Sequence, residues 1–184
     1  MLTLSMNDAA VEMLGLADGA GLMPPEGLSD GLRELLARGI TRQGEVISWG
    51  SGANGALDAP GNYQNLSVWE SSHNSFHLED YVPVDRLIVE CVPQVSEDAQ
   101  RVLLRQGFAL AMGMRGLFAE LDPPAPVRFL IAANDTCATF RFVQVREGEA
   151  VFGEDLDAFR TDRVLVVEYL PNRYQAVPKG LSIT

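Results

Sequence analysis

The sequence predicts an α+β fold: a largely antiparallel sheet packed against one long buried helix, with a pair of helices at the N-terminus. Ser96 precedes a stretch that can stay helical to about Glu120, before Pro123 and Pro124 prevent its continuation. Three runs rich in β-branched and aromatic residues follow, and each predicts a strand: 127–133, 137–146 and 163–169. Asn134-Asp135-Thr136 is typical of the turn in a hairpin that joins the first two.

The stretch 96–120 is predicted to be the central helix. Glu97 and Asp98 lie in its first turn, where carboxylates complement the helix dipole. From 102 to 118 the segment is apolar nearly all round, which indicates burial against a sheet. Its three glycines permit close approach to a neighbouring backbone: Gly107, Gly113 and Gly116.

The first 45 residues predict two helices. Apolar residues recur at helical spacing over 5–17, with Ser5 or Asn7 as the candidate cap. A second helix begins after Ser29 and ends at Gly39.

Three further segments are predicted to be strands. Segments 45–49 and 66–70 each predict a short one. The run 85–92 (DRLIVECV) predicts a buried strand that Pro93 ends.

Length and composition predict a single domain, 1–184. The 184 residues are 47% hydrophobic, enough for a sizeable core. Within the domain we expect an N-terminal helical part (1–45), a long Gly/Asn-rich loop (50–65), and a sheet with the central helix (66–170).

The charge balance favours a basic protein as the partner. Fourteen Lys and Arg against 25 Asp and Glu give a net charge of -11, which repels nucleic acid and anionic membranes. No signal peptide or membrane-spanning run is recognised, so we expect a cytoplasmic protein. Cys91 and Cys137 lie in apolar runs and are interpreted as buried reduced thiols.

The string GSGANG at 50–55 matches the dinucleotide-binding pattern G-x-G-x-x-G, and Glu70 lies about 20 residues further on. That fold needs a crossover helix after the third glycine, and Pro60-Gly61 interrupts the segment before Leu66. No lysine follows the glycines, as a phosphate loop would require. We therefore expect a loop that binds no nucleotide, and no cofactor.

His73 and His77 are the only histidines, and Glu79 and Asp80 lie nearby. Spacing of four residues places both imidazoles on one face of a helix or of a strand, as a metal site requires. The surrounding SSHNSFHLEDY is typical of a loop or strand end, which favours two surface histidines. A small enzyme with a pocket around this pair remains an alternative.

Nucleophilic catalysis has little support in the sequence. No G-x-S-x-G motif occurs, and pairing of Cys137 with a histidine would depend on the fold alone. The adjacent carboxylates (Glu79-Asp80, Glu97-Asp98 and Glu154-Asp155) are typical of solvated faces or helix starts. We predict no catalytic residue and lean towards a non-enzymatic protein.

The acidic residues are segregated along the chain. Segment 147–168 holds seven carboxylates against Arg160 and Arg163, and 61–100 holds seven against Arg86. Either set could serve solubility alone. We predict instead that five acidic residues of one turn-rich segment dock a basic protein: Glu147, Glu149, Glu154, Asp155 and Asp157.

The C-terminal third resembles small immunity proteins of bacterial polymorphic and contact-dependent toxin systems. The resemblance lies in TCATFRFVQVREGE (136–149), the acidic turn EDLDAF (154–159) and the final strand RVLVVEYL (163–170). It implies a non-enzymatic protein that binds and blocks a basic cognate toxin through an acidic surface. An interaction or assembly subunit unrelated to toxins is the other alternative.

Overall fold

The structure, a computed structural model, describes residues 1–15, 21–50, 65–149 and 155–171. Its helices are α1 (Asp8–Leu14), α2 (Asp30–Ala37), α3 (Leu66–His73) and α4 (Glu97–Glu120). Its strands are β1 (Leu2–Met6), β2 (Ile40–Gln43), β3 (Val46–Trp49), β4 (Phe76–His77), β5 (Arg86–Val89), β6 (Val92–Val95), β7 (Val127–Ala133), β8 (Ala138–Gln144) and β9 (Arg163–Tyr169). Short 3-10 turns lie at Leu78–Asp80 and Leu156–Ala158.

Five strands form the main sheet, in the order β1-β9-β7-β8-β4, and every neighbouring pair is antiparallel. Strand β7 is central: Leu130 lies opposite Arg141 of β8 on one side and Val166 of β9 on the other. The strand pairs β2–β3 and β5–β6 each form a separate hairpin. The predicted α+β fold with a largely antiparallel sheet is confirmed.

Helix α4 covers one face of the sheet, as predicted. Its N-cap is Ser96, whose Oγ accepts a hydrogen bond from the Ala99 N–H at 3.2 Å. At Gly107 the helix approaches β7 so closely that a Cβ would lie 2.7 Å from Ile131 Cγ2. One side of the helix remains exposed, where Val102 and Arg115 face solvent.

The core lies between α4 and the inner face of the sheet. Alternate residues of β7 and β8 point inward, as period-two alternation requires. Phe118 of α4 packs edge-on against Phe129 and Phe142, with ring centroids 5.9 and 5.6 Å apart. Phe140 lies beside Phe129 in the same cluster, and all four rings are fully buried.

The predicted strand 66–70 was wrong: the segment is helix α3. Asn65 caps this helix by accepting a hydrogen bond from the Val68 N–H at 2.8 Å. Trp69 and Glu70 then turn into the protein, while α3 covers part of the outer face of β8 and buries Val143. The β-branched and aromatic residues that suggested a strand therefore lie in a helix whose N-cap is Asn65.

The first predicted helix is shorter than 5–17, because its start is the edge strand β1. Asn7 N–H bonds the Val164 carbonyl at 3.2 Å, and the Asn7 side chain caps α1 through the Ala10 N–H at 3.0 Å. Gly15 ends the helix with φ of 63°. The second helix of the N-terminal pair starts at Ser29 as predicted, and β3 confirms the strand at 45–49.

The buried strand predicted at 85–92 was also wrong. The run folds as the hairpin β5–β6, with Glu90 and Cys91 at its turn in the left-handed region, φ 51° and 67°. Both strands are exposed except at Val95. Cys91 is accordingly exposed, and Cys137 is only partly buried, so neither thiol is buried as expected.

No helix in the described parts of the chain is long and apolar enough to cross a membrane.

Candidate functional site

The hairpin β5–β6 presents an unusually apolar surface to solvent. Its side chains are 68% exposed at Leu87, 76% at Ile88, 45% at Val89 and 48% at Val92. Val89 lies opposite Val92, so Leu87, Val89 and Val92 share one face of the hairpin and Ile88 lies on the other. Single exposed apolar residues are normal on a protein, whereas a group of them is typical of a surface that binds another molecule. These four side chains are called the apolar hairpin below.

Carboxylates surround the apolar hairpin. Asp85 precedes β5, Glu90 lies at the turn, and Glu97 and Asp98 follow β6 at the start of α4, all four exposed. Arg86 is the single basic residue of the segment 85–98, so its formal charge is four negative against one positive. An apolar centre with a polar rim is an arrangement that protein–protein interfaces commonly have.

The hairpin is attached to one end of the main sheet. The Val95 N–H donates to the Asp135 carbonyl, in the β7–β8 turn, at 2.8 Å. Asp135 adds an exposed carboxylate there. A cleft of about 490 Å³ lies at this junction, and Arg160 and Arg163 are among the residues that line it. The surface therefore carries both positive and negative charges where the hairpin joins the sheet, and it is acidic along the hairpin itself.

Two of the five acidic residues predicted to bind a partner lie at this same end. Asp157 Oδ1 accepts a hydrogen bond from the Asp8 N–H at 2.8 Å and so caps the start of α1. Asp155 Oδ1 accepts from the Asp157 N–H at 3.1 Å, and both residues are exposed. Glu154 lies outside the described residues.

Glu147 and Glu149 lie at the opposite end of the sheet. They follow β8, whose last residue Gln144 pairs with the first residue of β7. Glu149 is half-buried and accepts hydrogen bonds from the N–H and hydroxyl of Ser67, at 3.0 and 2.5 Å. Since β7 spans seven residues, roughly 20 Å of strand separates the two acidic groups. The structure therefore brings Asp155 and Asp157 together, but not with Glu147 and Glu149.

Glu70, which sequence analysis considered only for its spacing from the glycine-rich string, is a fully buried carboxylate. It forms a two-pronged ion pair with Arg146, at 2.8 and 2.9 Å. Its oxygens also accept from the backbone N–H groups of Ile47 and Gln144, at 2.8 and 2.7 Å. Each oxygen of the Glu70 carboxylate therefore accepts two hydrogen bonds from the protein. The group connects β3 to β8 and does not face a ligand.

The two histidines do not form a common site. Helix α3 ends at His73, whose ring stacks on Trp69 with centroids 4.0 Å apart, whereas His77 belongs to β4. His77 Nδ1 lies 3.6 Å from Glu79 Oε1. Across the described ranges, no group of three or more His, Cys, Asp or Glu side chains is placed to hold a metal ion.

Cys137 is poorly suited to nucleophilic catalysis. Burial raises the pKa of its thiol, and the Glu79 and Asp162 carboxylates raise it further, while a hydrogen bond with Thr136 and the Arg141 charge act in the opposite direction. The reactive form of a cysteine is the thiolate, so this environment suppresses its reactivity. Of the glycine-rich string 50–55, only Gly50 lies within the described residues.

Sequence analysis missed the apolar hairpin because it treated 85–92 as one buried strand. A signal was present: Glu90 interrupts the apolar run, and four-residue runs flank Glu90-Cys91 on both sides, the spacing of a two-residue hairpin turn. Neither residue is a preferred one for that turn, which obscured the pattern.

No curated protein and no solved structure matches the chain. A family model described as "Uncharacterized protein PM0498 family" matches residues 20–176. That range covers both the apolar hairpin and the central helix, and it is most of the chain. The protein belongs to the PM0498 family.

Proposed function

We propose that the protein binds a basic protein partner through the apolar hairpin and its acidic rim, and that it inhibits this partner as an immunity protein inhibits a toxin. The observation that carries the proposal is the exposure of Leu87, Ile88, Val89 and Val92 on one hairpin. The acidic residues predicted from sequence contribute through Asp155 and Asp157, at the same end of the sheet.

Burial of the hairpin by a partner would supply much of the binding energy. Each fully buried Leu, Ile or Val contributes about 1.5–3 kcal/mol relative to its exposed state. Association also has costs in rigid-body freedom and side-chain ordering, so only part of that energy appears as affinity. Apolar residues at the centre of an interface carry most of this energy, and charged residues at the rim contribute little to it.

The acidic rim would act on recognition and on rate. Asp85, Glu90 and Glu97 attract a positively charged surface during the diffusional encounter. They also disfavour acidic partners, because like charges held together at an interface are costly. A cationic protein is therefore the partner class that this surface selects.

Inhibition fits the protein better than catalysis. The buried carboxylate Glu70 is fully engaged in holding the fold, and the pKa of Cys137 is shifted away from reactivity. The resemblance of the C-terminal third to immunity proteins supports the same conclusion. An inhibitor of this kind needs only a surface that covers its target.

The test measures association with the product of the neighbouring gene. Glu90→Lys should slow association several-fold at low salt, and the difference should shrink as ionic strength rises. Ile88→Ser should act instead on dissociation, by about 10- to 100-fold for the loss of a buried apolar anchor. Glu147→Lys is the matched control, an equal charge reversal at the far end of the sheet, and should leave both rates unchanged.

Three results would contradict the proposal. Equal slowing by Glu147→Lys and Glu90→Lys would show that net charge matters rather than the hairpin. A homo-oligomer that Ile88→Ser dissociates would identify an assembly subunit. A metal-dependent activity lost on His77→Ala would identify an enzyme.

A further inference from the structure

A cleft of about 550 Å³ lies beside α3 on the outer face of the main sheet, away from α4. Val68, Ser71 and Ser72 are neighbours on one face of α3, and that face lines the cleft. The sheet contributes Arg141 of β8 and Leu130 of β7, which lie directly opposite each other in the strand register. Within the described parts of the chain, Arg141 is the one charged residue that lines this cleft.

Arg141 is held in place while part of its guanidinium stays available. Its Nε donates to Ser75 Oγ at 3.2 Å, and Ser75 also lines the cleft. Its two terminal amino groups have no hydrogen-bond partner, and no carboxylate lies within 4 Å of them, among the described residues. In contrast, Arg101, Arg128 and Arg146 each pair with a carboxylate. A half-buried guanidinium without a countercharge is suited to an anion from outside the chain.

Serine hydroxyl groups add neutral donors beside this charge. Ser72 is exposed, Ser71 is nearly buried, and a serine hydroxyl rotates freely enough to donate to an oxyanion. Both residues lie in the last turn of α3, where the helix dipole disfavours negative charge. The single Arg141 can balance one negative charge against that dipole, so the cleft is suited to a monoanion rather than to a dianion.

Apolar side chains adjoin the same donors. Val68 lies one helical turn before Ser71 and Ser72, and the half-buried ring of Phe159 also lines the cleft. Leu130 forms its nearly buried floor next to Arg141, since the Cβ atoms of directly opposite residues are only about 4.5–5.5 Å apart. An anion bound to the guanidinium therefore lies within a few ångströms of apolar surface.

We propose that this cleft binds a small monocarboxylate with an apolar body, either aromatic or branched aliphatic. The carboxylate accepts hydrogen bonds from the two terminal amino groups of Arg141 and from the hydroxyl of Ser72, and the apolar body lies against Val68 and Phe159. The two terminal amino groups form a planar fork that matches the two oxygens of a carboxylate. A neutral molecule of the same shape would leave the guanidinium without a countercharge.

Phenylacetate and isovalerate are the probes, titrated into isotope-labelled protein and followed through the chemical shifts of the backbone amides. At least one of them should bind saturably, with the largest shifts at Ser71, Ser72 and Arg141. Two controls separate the charge from the apolar body: the alcohol with the same apolar body, and acetate. Each control should bind at least about tenfold more weakly than the carboxylate probe.

Variants distinguish a site from a general effect of charge. Arg141→Gln should weaken binding of the probe at least about tenfold, because it removes the countercharge. Ser72→Ala should weaken it several-fold through the loss of one donor. Arg115→Gln is the matched control, an exposed arginine of α4 on the other side of the sheet, and should bind the probe like the parent. Thermal melts establish that each variant is folded.

The proposal is overturned if neither carboxylate binds at concentrations up to about 20 mM, a weak affinity even for molecules of this size. It is equally overturned if the alcohol binds as tightly as the acid, if folded Arg141→Gln keeps the affinity of the parent, or if the phenylphosphonate dianion binds more tightly than phenylacetate. Should Arg141→Gln fail to fold, unchanged affinity in the exposed-site variant Ser72→Ala overturns the proposal instead. Because the apolar hairpin is not involved, these results are independent of the binding to a basic partner.

Discussion

The hairpins β7–β8 and β5–β6 have similar local sequences, but the first is buried and the second is exposed to solvent. Both consist of short runs rich in Val, Ile, Leu or Phe, and both were predicted to contain buried strands. In β7–β8 the inward residues are fully buried beneath α4. In β5–β6 the corresponding apolar side chains face solvent.

The difference lies in what each hairpin pairs with. Strand β7 is hydrogen-bonded on both sides, to β8 and β9, and its inner face lies against a helix of 24 residues. Within the described ranges, strands β5 and β6 pair only with each other, and Val95 joins them to the core. β-propensity measures how well a residue suits a half-buried pleated surface, and it does not supply that surface.

A third hairpin, β2–β3, lies between these extremes. It pairs with no strand of the main sheet, yet it is held there by the Glu70–Arg146 ion pair and by the Asn74 amide, which donates to the Ile47 carbonyl at 2.8 Å. One hairpin is therefore fixed by apolar packing, one by a buried polar network together with the packing of Ile47 and Trp49, and one is left exposed.

The largest effect should come from deleting a ring in β7. Phe129→Ala should lower the free energy of unfolding by about 3–5 kcal/mol, because it leaves a cavity among Phe118, Phe140 and Phe142. Urea denaturation measures the loss. Leu87→Ala in β5 is the control and should change stability by less than about 0.5 kcal/mol. Similar losses at the two sites would show that the hairpins do not differ in packing.

Breaking the Glu70–Arg146 ion pair beneath β2–β3 should lower the free energy of unfolding nearly as much as Phe129→Ala does. Glu70→Gln should lower stability by about 3 kcal/mol or more, since it leaves Arg146 without its countercharge. Glu45→Gln, an exposed neighbour, is the matched control. Replacing both partners with apolar residues of similar size should recover much of the loss. If Glu70→Gln melts like the parent, the polar network does not anchor the hairpin.

The sequence predicted the parts whose signals are local. Ser96, Ser29 and Asn7 cap helices where the capping rules place them, and 163–169 is strand β9 with the predicted bounds. Sequence-based prediction failed where contacts with distant parts of the chain determine whether a residue is buried or exposed. The burial of Glu70 depends on Arg146, which is 76 residues away. The exposure of 85–92 arises because no further strand of the described residues pairs with this hairpin. The separation of Asp157 from Glu149 required the strand order of the sheet.

The two cysteines allow the contrast to be observed in solution. Cys91 lies exposed at the tip of β5–β6, and Cys137 is partly buried beside β8 with its pKa raised by burial. Thiol labelling should therefore show a fast and a slow phase, and Cys91→Ser should remove the fast one.

The raised pKa of Cys137 also has a pH signature. The labelling rate of Cys137 should continue to increase with pH in a range where an ordinary thiol is already deprotonated. Because the folded thiol holds its proton more tightly than the unfolded one, stability should fall as pH rises from the unfolded pKa to the folded pKa. Cys137→Ser should remove this dependence, and a single fast labelling phase for both thiols would contradict the assignment.

The smallest effect on stability should come from the residue with the greatest exposure in the hairpin. Ile88 is 76% exposed, so Ile88→Ser removes almost no burial and should change the free energy of unfolding by less than about 0.5 kcal/mol. The same substitution should reduce the retention of the protein on a hydrophobic-interaction column, since it removes part of an exposed apolar surface. Thr139→Ser on the outer face of β8 is the control for the column. A loss of more than about 1 kcal/mol at Ile88 would mean that the hairpin packs against the protein in solution, and the contrast with β7–β8 would then disappear. A neutral effect on folding together with a loss of partner binding would show that the hairpin is kept apolar for recognition rather than for stability.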